Sequence, residues 1–177
     1  MSKLLALLAS GLVAWSAASQ ASEIDEPVIL VAQPELRDNL YGSSILVVMP
    51  MGGDQHIGFI VNRPTELSVG ADRVFAGGPV EPNSVFALVQ RANSPGGKSF
   101  EVLPGLYVAH ESSVVERLIE SQPASARLVA GLVVWQPGEL REEMKQGAWF
   151  ALSPDPSLVM RNPQGLWDEL QRVARTI

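Results

Sequence analysis

Two histidines, His56 and His110, are the only imidazoles in the chain, so acid–base or metal chemistry has to begin there. Glu111 follows His110, and serines are plentiful. A hydrolase using His56 or His110 is therefore open, because the members of a Ser/His/acid set meet only in space. No G-x-S-x-G elbow accompanies the serines, and no H-E-x-x-H spacing accompanies the histidines. Cysteine is absent, which excludes thiol catalysis, cysteine-built zinc sites and disulfides. The pattern predicts no catalytic set, no metal site and no cofactor.

Ligand binding is the other chemistry on offer. Asn62-Arg63-Pro64 closes an apolar run, and Arg63 carries a planar fork that grips a carboxylate or phosphate through two parallel bonds. The same residues also make a good turn, with Arg63 paired to an acid such as Glu66. Gly77-Gly78 offers backbone N–H groups to an anion, or simply a tight turn at positive φ. An anion site requires Asn62, Arg63, Gly77, Gly78 and His56 to surround one pocket. Trp135, Trp149 and Trp167 line a pocket or fill the core. Glu139, Glu142 and Glu143 bind a cation or form a solvated first helical turn.

These residues need a scaffold, and the apolar runs supply one. Val28–Ala32, Ser44–Met49, His56–Val61, Arg73–Ala76, Val85–Gln90, Phe100–Leu103 and Leu106–Ala109 read as strands. Leu128–Trp135 reads as a buried central strand, and Ala148–Leu152 as another. Ser113 and Glu116 have capping-box spacing, which predicts a helix from Ser113 to about Ser121. Pro137 suits the first turn of a second helix, with Leu140 and Met144 on its buried face and Gly147 as its stop. Asn162-Pro163 reads as the cap of a third, with Leu166, Trp167, Leu170, Val173 and Ala174 as its buried stripe. Strands early and helices late predict an α+β fold. A compact single domain with a mainly antiparallel sheet and about three helices is expected.

The N-terminus reads as an address. Lys3 precedes the uncharged run Leu4–Ala18, and Ser19-Gln20-Ala21 offers small residues for cleavage. The run is shorter than the roughly 20 residues a helix needs to cross a bilayer. Residues 1–21 are thus expected to be a signal peptide, and 22–177 the mature domain in the periplasm or medium, with no membrane span after cleavage. Retention of the segment as an anchor is the alternative. The full chain carries net charge −6 across 177 residues, with 46% hydrophobic and 18% charged side chains. That is ample material for a core, and no basic run exists to replace the counterions of a nucleic acid.

Several segments resemble one family. Gly58-Phe59-Ile60-Val61-Asn62-Arg63-Pro64 is similar to the "GLVINRP" signature of the AlgH/YqgE proteins. Gly77-Gly78-Pro79-Val80 resembles their "GGPV", and Leu103-Pro104-Gly105-Leu106-Tyr107 a third block. Gly131–Trp135 with Gly138-Glu139-Leu140 resembles their "GYAGW…GQLE", and Gly147-Ala148-Trp149 their "GAW". Asp155 falls in their "PAD" region. The order holds from about Val28 to the C-terminus. Val134 departs from the usual glycine, and Glu139 and Arg141 are substituted.

The resemblance implies a compact α+β domain with a barrel-like sheet. It brings no assigned activity and no catalytic residues. It links the chain to regulators of transcription, notably of alginate synthesis, in a mostly cytoplasmic family. An exported member does not reach chromosomal DNA. The reading is therefore a non-enzymatic binding or accessory protein whose partner is a small-molecule anion or another protein. A cytoplasmic regulator is the alternative if the leader is no export signal, and the oligomeric state stays open.

Overall fold

Apolar, β-branched residues fill Val28–Ala32 and Ile45–Val48 without a polar break, so neither segment has a face that tolerates water. Both become strands covered on two sides. In the computed structural model, which describes residues 24–121 and 126–176, ten strands and four helices follow in order. The strands are β1 (Val28–Ala32), β2 (Ile45–Gly52), β3 (Gln55–Ile60), β4 (Pro64–Val69), β5 (Asp72–Ala76), β6 (Val80–Gln90), β7 (Phe100–Leu103), β8 (Leu106–Ala109), β9 (Ala126–Trp135) and β10 (Trp149–Leu152). The helices are α1 (Ser112–Ser121), α2 (Glu139–Lys145), α3 (Ser157–Met160) and α4 (Leu166–Ala174). The expected leader, residues 1–21, lies outside the described residues.

The strands run in the order β10-β1-β2-β3-β9-β6-β8-β7, with the β4–β5 hairpin joined to β9 through β5. All pairs are antiparallel except β5 with β9. The fold is α+β, as the sequence predicts. Strand period sorts the core. Ile29, Val31, Ile45, Val47 and Phe59 point into a central cluster that α3 and α4 cover. Their neighbours Leu30, Ala32, Leu46, Val48 and Ile60 point to the other face, beneath Leu140 of α2. A third cluster lies under α1, where Val114, Val115 and Leu118 meet Val74, Ala87, Val89 and Leu128.

β9 is the hub, as its apolar run suggests. Its first half pairs with β5 on one side and β6 on the other; its second half exchanges β5 for β3. The exchange occurs at Gly131, which sits at φ +76. A Cβ there would lie 2.3 Å from the Gly78 carbonyl oxygen, so only glycine fits.

The helix ends correct the sequence reading in three places. Ser113 lies inside α1, because Val114 and Val115 already donate to the Glu111 carbonyl. Pro137 precedes α2, whose N-cap is Gly138, and α4 is capped by Gly165 rather than Asn162. Asn162 instead accepts from the Gln164 N–H, making a turn before that helix. Val173, expected in the buried stripe of α4, is 46% exposed. The predicted stop at Gly147 is observed: Gly147 N–H bonds Met144 O and Ala148 N–H bonds Glu143 O, the double bond pattern of a Schellman end.

Candidate functional site

Asn62 and Arg63 follow β3 and hold the chain that leads into β2. Asn62 Oδ1 accepts from Ile45 N–H at 2.8 Å, and its Nδ2 donates to Ser43 O at 2.9 Å. Arg63 Nη1 donates to Asn39 O at 2.9 Å and Nη2 to Gly42 O at 2.6 Å. The fork grips two backbone carbonyls, not Glu66. Gly77 N–H bonds Ala130 O at 2.7 Å, and its carbonyl accepts from Ile60 N–H at 2.8 Å. A Cβ on Gly77 or Gly78 would come within 2.3 Å of β9 backbone. Backbone pairing brings these four residues together, since Ala76 N–H also bonds Arg63 O. The Asn62 and Arg63 side-chain donors and the Gly77 N–H are all taken by backbone carbonyls of the fold.

His56 stands apart from them. It lies on β3 opposite Trp135, about 20 Å along the extended chain from Asn62. The ring is buried, its Nε2 donates to Ile24 O at 2.7 Å, and its Nδ1 has no partner among the described residues. That bond ties the segment before β1 to the sheet. His110, at the end of β8, is exposed and meets Phe86 edge-on at 6.2 Å. Among the described residues neither ring bonds a serine or a carboxylate, and no group of three or more His, Asp or Glu could hold a metal ion.

One concavity lies beside His110. Pairing of β6 with β9 jumps from Val80↔Leu132 to Val85↔Ala130, so Glu81-Pro82-Asn83-Ser84 bulges out opposite Gly131. Pro82 has no N–H to lose from the ladder. Glu81 adopts φ +51, a left-handed backbone that side chains beyond glycine rarely take. The bulge leaves a cavity of about 640 Å³ against α1. Its apolar wall is Val69, Phe86, Val115, Ile119 and Leu132; Asn83, Ser84, His110 and Ser112 supply hydrogen-bonding groups. Glu81 and Glu116 bring charge, and among the described residues no lysine or arginine lines it.

A second cavity, about 600 Å³, opens beside α2. Here Trp135 and Trp149 meet the glutamates of α2, whereas Trp167 packs on the central cluster and donates its Nε1 to Ala32 O at 2.9 Å. Trp135 Nε1 and Trp149 Nε1 both donate to Glu143 Oε2, at 2.9 and 2.7 Å. Glu143 is therefore a bonded anchor, not part of a solvated turn. Glu139 accepts from Gln136 N–H, Glu142 pairs with Lys145, and Arg141 pairs with Asp54 at 2.8 Å. Tyr41 meets Trp149 edge-on, and burial raises its pKa, followed by the charges of Glu143, Asp38 and Glu139. Glu143, Glu139 and Asp54 thus tie α2 to its surroundings, while Glu142 sits in an exposed pair, as the solvated-turn reading expects.

Sequence reasoning missed both the Glu81–Ser84 bulge and the cavity it opens. Pro82 inside an apolar-flanked run was the available signal.

A curled, mostly antiparallel sheet with helices on both faces and a cleft at a strand bulge defines a small α+β module. Its relatives share that frame. A family model described as AlgH-like matches residues 29–175. The chain belongs to the AlgH-like family. It is 30% identical to a UPF0301 protein of Streptomyces coelicolor, over 83% of this chain and 85% of that one. It is 31% identical to a UPF0301 protein of Thermobifida fusca, over 81% and 84%. The fold is similar to the solution structure of the AlgH protein from Pseudomonas aeruginosa, with TM-score 0.72 and 18% identity, over 85% and 88% of the two chains. A crystal structure of a Corynebacterium diphtheriae protein gives TM-score 0.71 at 19% identity, over 86% and 88%.

Proposed function

We propose that this chain is an exported, non-enzymatic binding protein that holds a small molecule between α1 and the β6 bulge. The observation that carries this reading is the cavity itself. Its volume of about 640 Å³ lies within the range of small-ligand sites, and it joins an apolar wall to a few converging polar groups. The histidines support binding over hydrolysis. His56 is spent on the Ile24 carbonyl and His110 packs against Phe86, and among the described residues neither is hydrogen-bonded to a serine. The export half of the proposal rests on the leader pattern of residues 1–21.

Amide chemical shifts of the purified protein, titrated with a panel of small fragments, test the cavity. Shifts should cluster at Ser84, His110 and Ile119, and Ile119→Trp, which fills the space, should abolish them. Shifts confined to any other surface, or none at all, refute the reading. Ester turnover that His110→Ala removes would restore the hydrolase. Cell fractionation with N-terminal sequencing should find the chain outside the cytosol starting at Ser22; an intact Met1 form in the cytosol overturns export.

A further inference from the structure

We infer that the ligand of this cavity is an organic cation, an apolar body carrying a protonated amine. The inference rests on the binding reading above and adds the sign of the charge. Glu81 enters from the β6 bulge and Glu116 from α1, and among the described residues they are the carboxylates that line the space. One contribution opposes them. Ser112, at the N-terminal end of α1, also lines the cavity, and a helix N-terminus acts as roughly half a positive charge. Two carboxylates outweigh it. An anion entering here meets net repulsion, the reverse of what an arginine fork would offer.

The apolar wall sets the other half of the ligand. Phe86 and Leu132 of the sheet and Val115 and Ile119 of α1 all line the cavity. A hydrocarbon body seated there loses water contact, while its ammonium group reaches the carboxylates at the rim. Glu81 provides an independent handle. Its φ of +51 is a conformation glycine adopts without strain, so a glycine there removes the carboxylate and relaxes the backbone together.

Hexylamine, hexan-1-ol and hexanoate share one chain length and differ in charge. Binding of each to the purified protein is measured by amide shift titration at low and high salt. Hexylamine should bind tightest, hexanol more weakly and hexanoate weakest, with the amine's advantage shrinking as salt screens it. Glu116→Gln and Glu81→Gly should each weaken hexylamine about threefold to fivefold, the size of a partly exposed ion pair, and leave hexanol unchanged. Glu81→Gly should also melt at or above the parent temperature, so its loss of binding is not loss of fold. Hexanol matching hexylamine, or hexanoate exceeding it, overturns the cation inference and leaves the cavity reading intact. Failure of all three to move the amides of Ser84, His110 and Ile119 overturns both.

Discussion

Replacing Glu143 with alanine strands two indole N–H groups at once. Trp135 and Trp149 are each 3% exposed, on β9 and β10, and both donate to the same oxygen, Glu143 Oε2. A buried donor left without a partner costs about 1–3 kcal/mol. The α2 cavity adjoins Trp135 and admits water, which holds each loss to the lower part of that range. The sum is about 2–3 kcal/mol, or about 4–12 °C in Tm for a chain of this size. Glu143→Gln keeps a carbonyl oxygen in the right place and loses only the charge assistance, about 1 kcal/mol. Urea unfolding followed by far-UV circular dichroism reads both without relying on the tryptophans themselves. In a Trp149→Phe background the alanine penalty should fall by about half, since one stranded donor is gone. An alanine variant within about 0.5 kcal/mol of the parent refutes the account, as does a glutamine variant equally damaged.

Three further outcomes follow from the geometry. Arg63→Ala removes the donors to Asn39 and Gly42 carbonyls, which should cost about 1–2 kcal/mol and speed amide exchange across residues 38–44; unchanged exchange there would remove Arg63 from the scaffold. Gly131→Ala combines φ +76 with a Cβ 2.3 Å from Gly78 O, so a loss of at least about 3 kcal/mol in chemical unfolding is expected. Arg161 hydrogen-bonds Glu169 and holds its carboxyl below the ordinary value, so that stabilisation exists above the usual glutamate range and disappears as pH falls through the lowered pKa. Glu169→Gln should therefore lower Tm at neutral pH and match the parent in strong acid; equal deficits at both pH values would refute the sign.

The sheet was legible because its strands are apolar enough to announce themselves. Val28–Ala32 and Leu128–Trp135 carry no charge and little turn chemistry, and both sit where that composition demands. β4 carried no such signal. Pro64–Val69 is mostly exposed and pairs only with β5, so nothing in its composition calls for burial. Cap positions were misread where two caps competed: Asn162 and Gly165 both suit a helix start, and the geometry uses the glycine. Site residues were harder still. Arg63 has one fork whether it grips a ligand or a loop, and residue type does not distinguish the two. The pairing of Glu143 with two tryptophans from different strands is a tertiary fact with no local trace.

Three of the segments that carry the family resemblance meet along one seam. Gly58–Pro64 closes β3, Gly77-Gly78 follows β5, and Gly131–Trp135 forms the second half of β9. Ile60 N–H reaches Gly77 O, Gly77 N–H reaches Ala130 O, and Gly78 crosses Gly131 too closely for any side chain. These motifs thus specify how β9 passes from one neighbour to another, which is a scaffold requirement. The cavity draws its charge and polar groups from outside them: Glu81, Asn83, Ser84, His110 and Glu116 belong to none of the quoted blocks. The resemblance therefore carries the architecture, and under the binding proposal the chemistry has to be read from the lining residues of this chain itself.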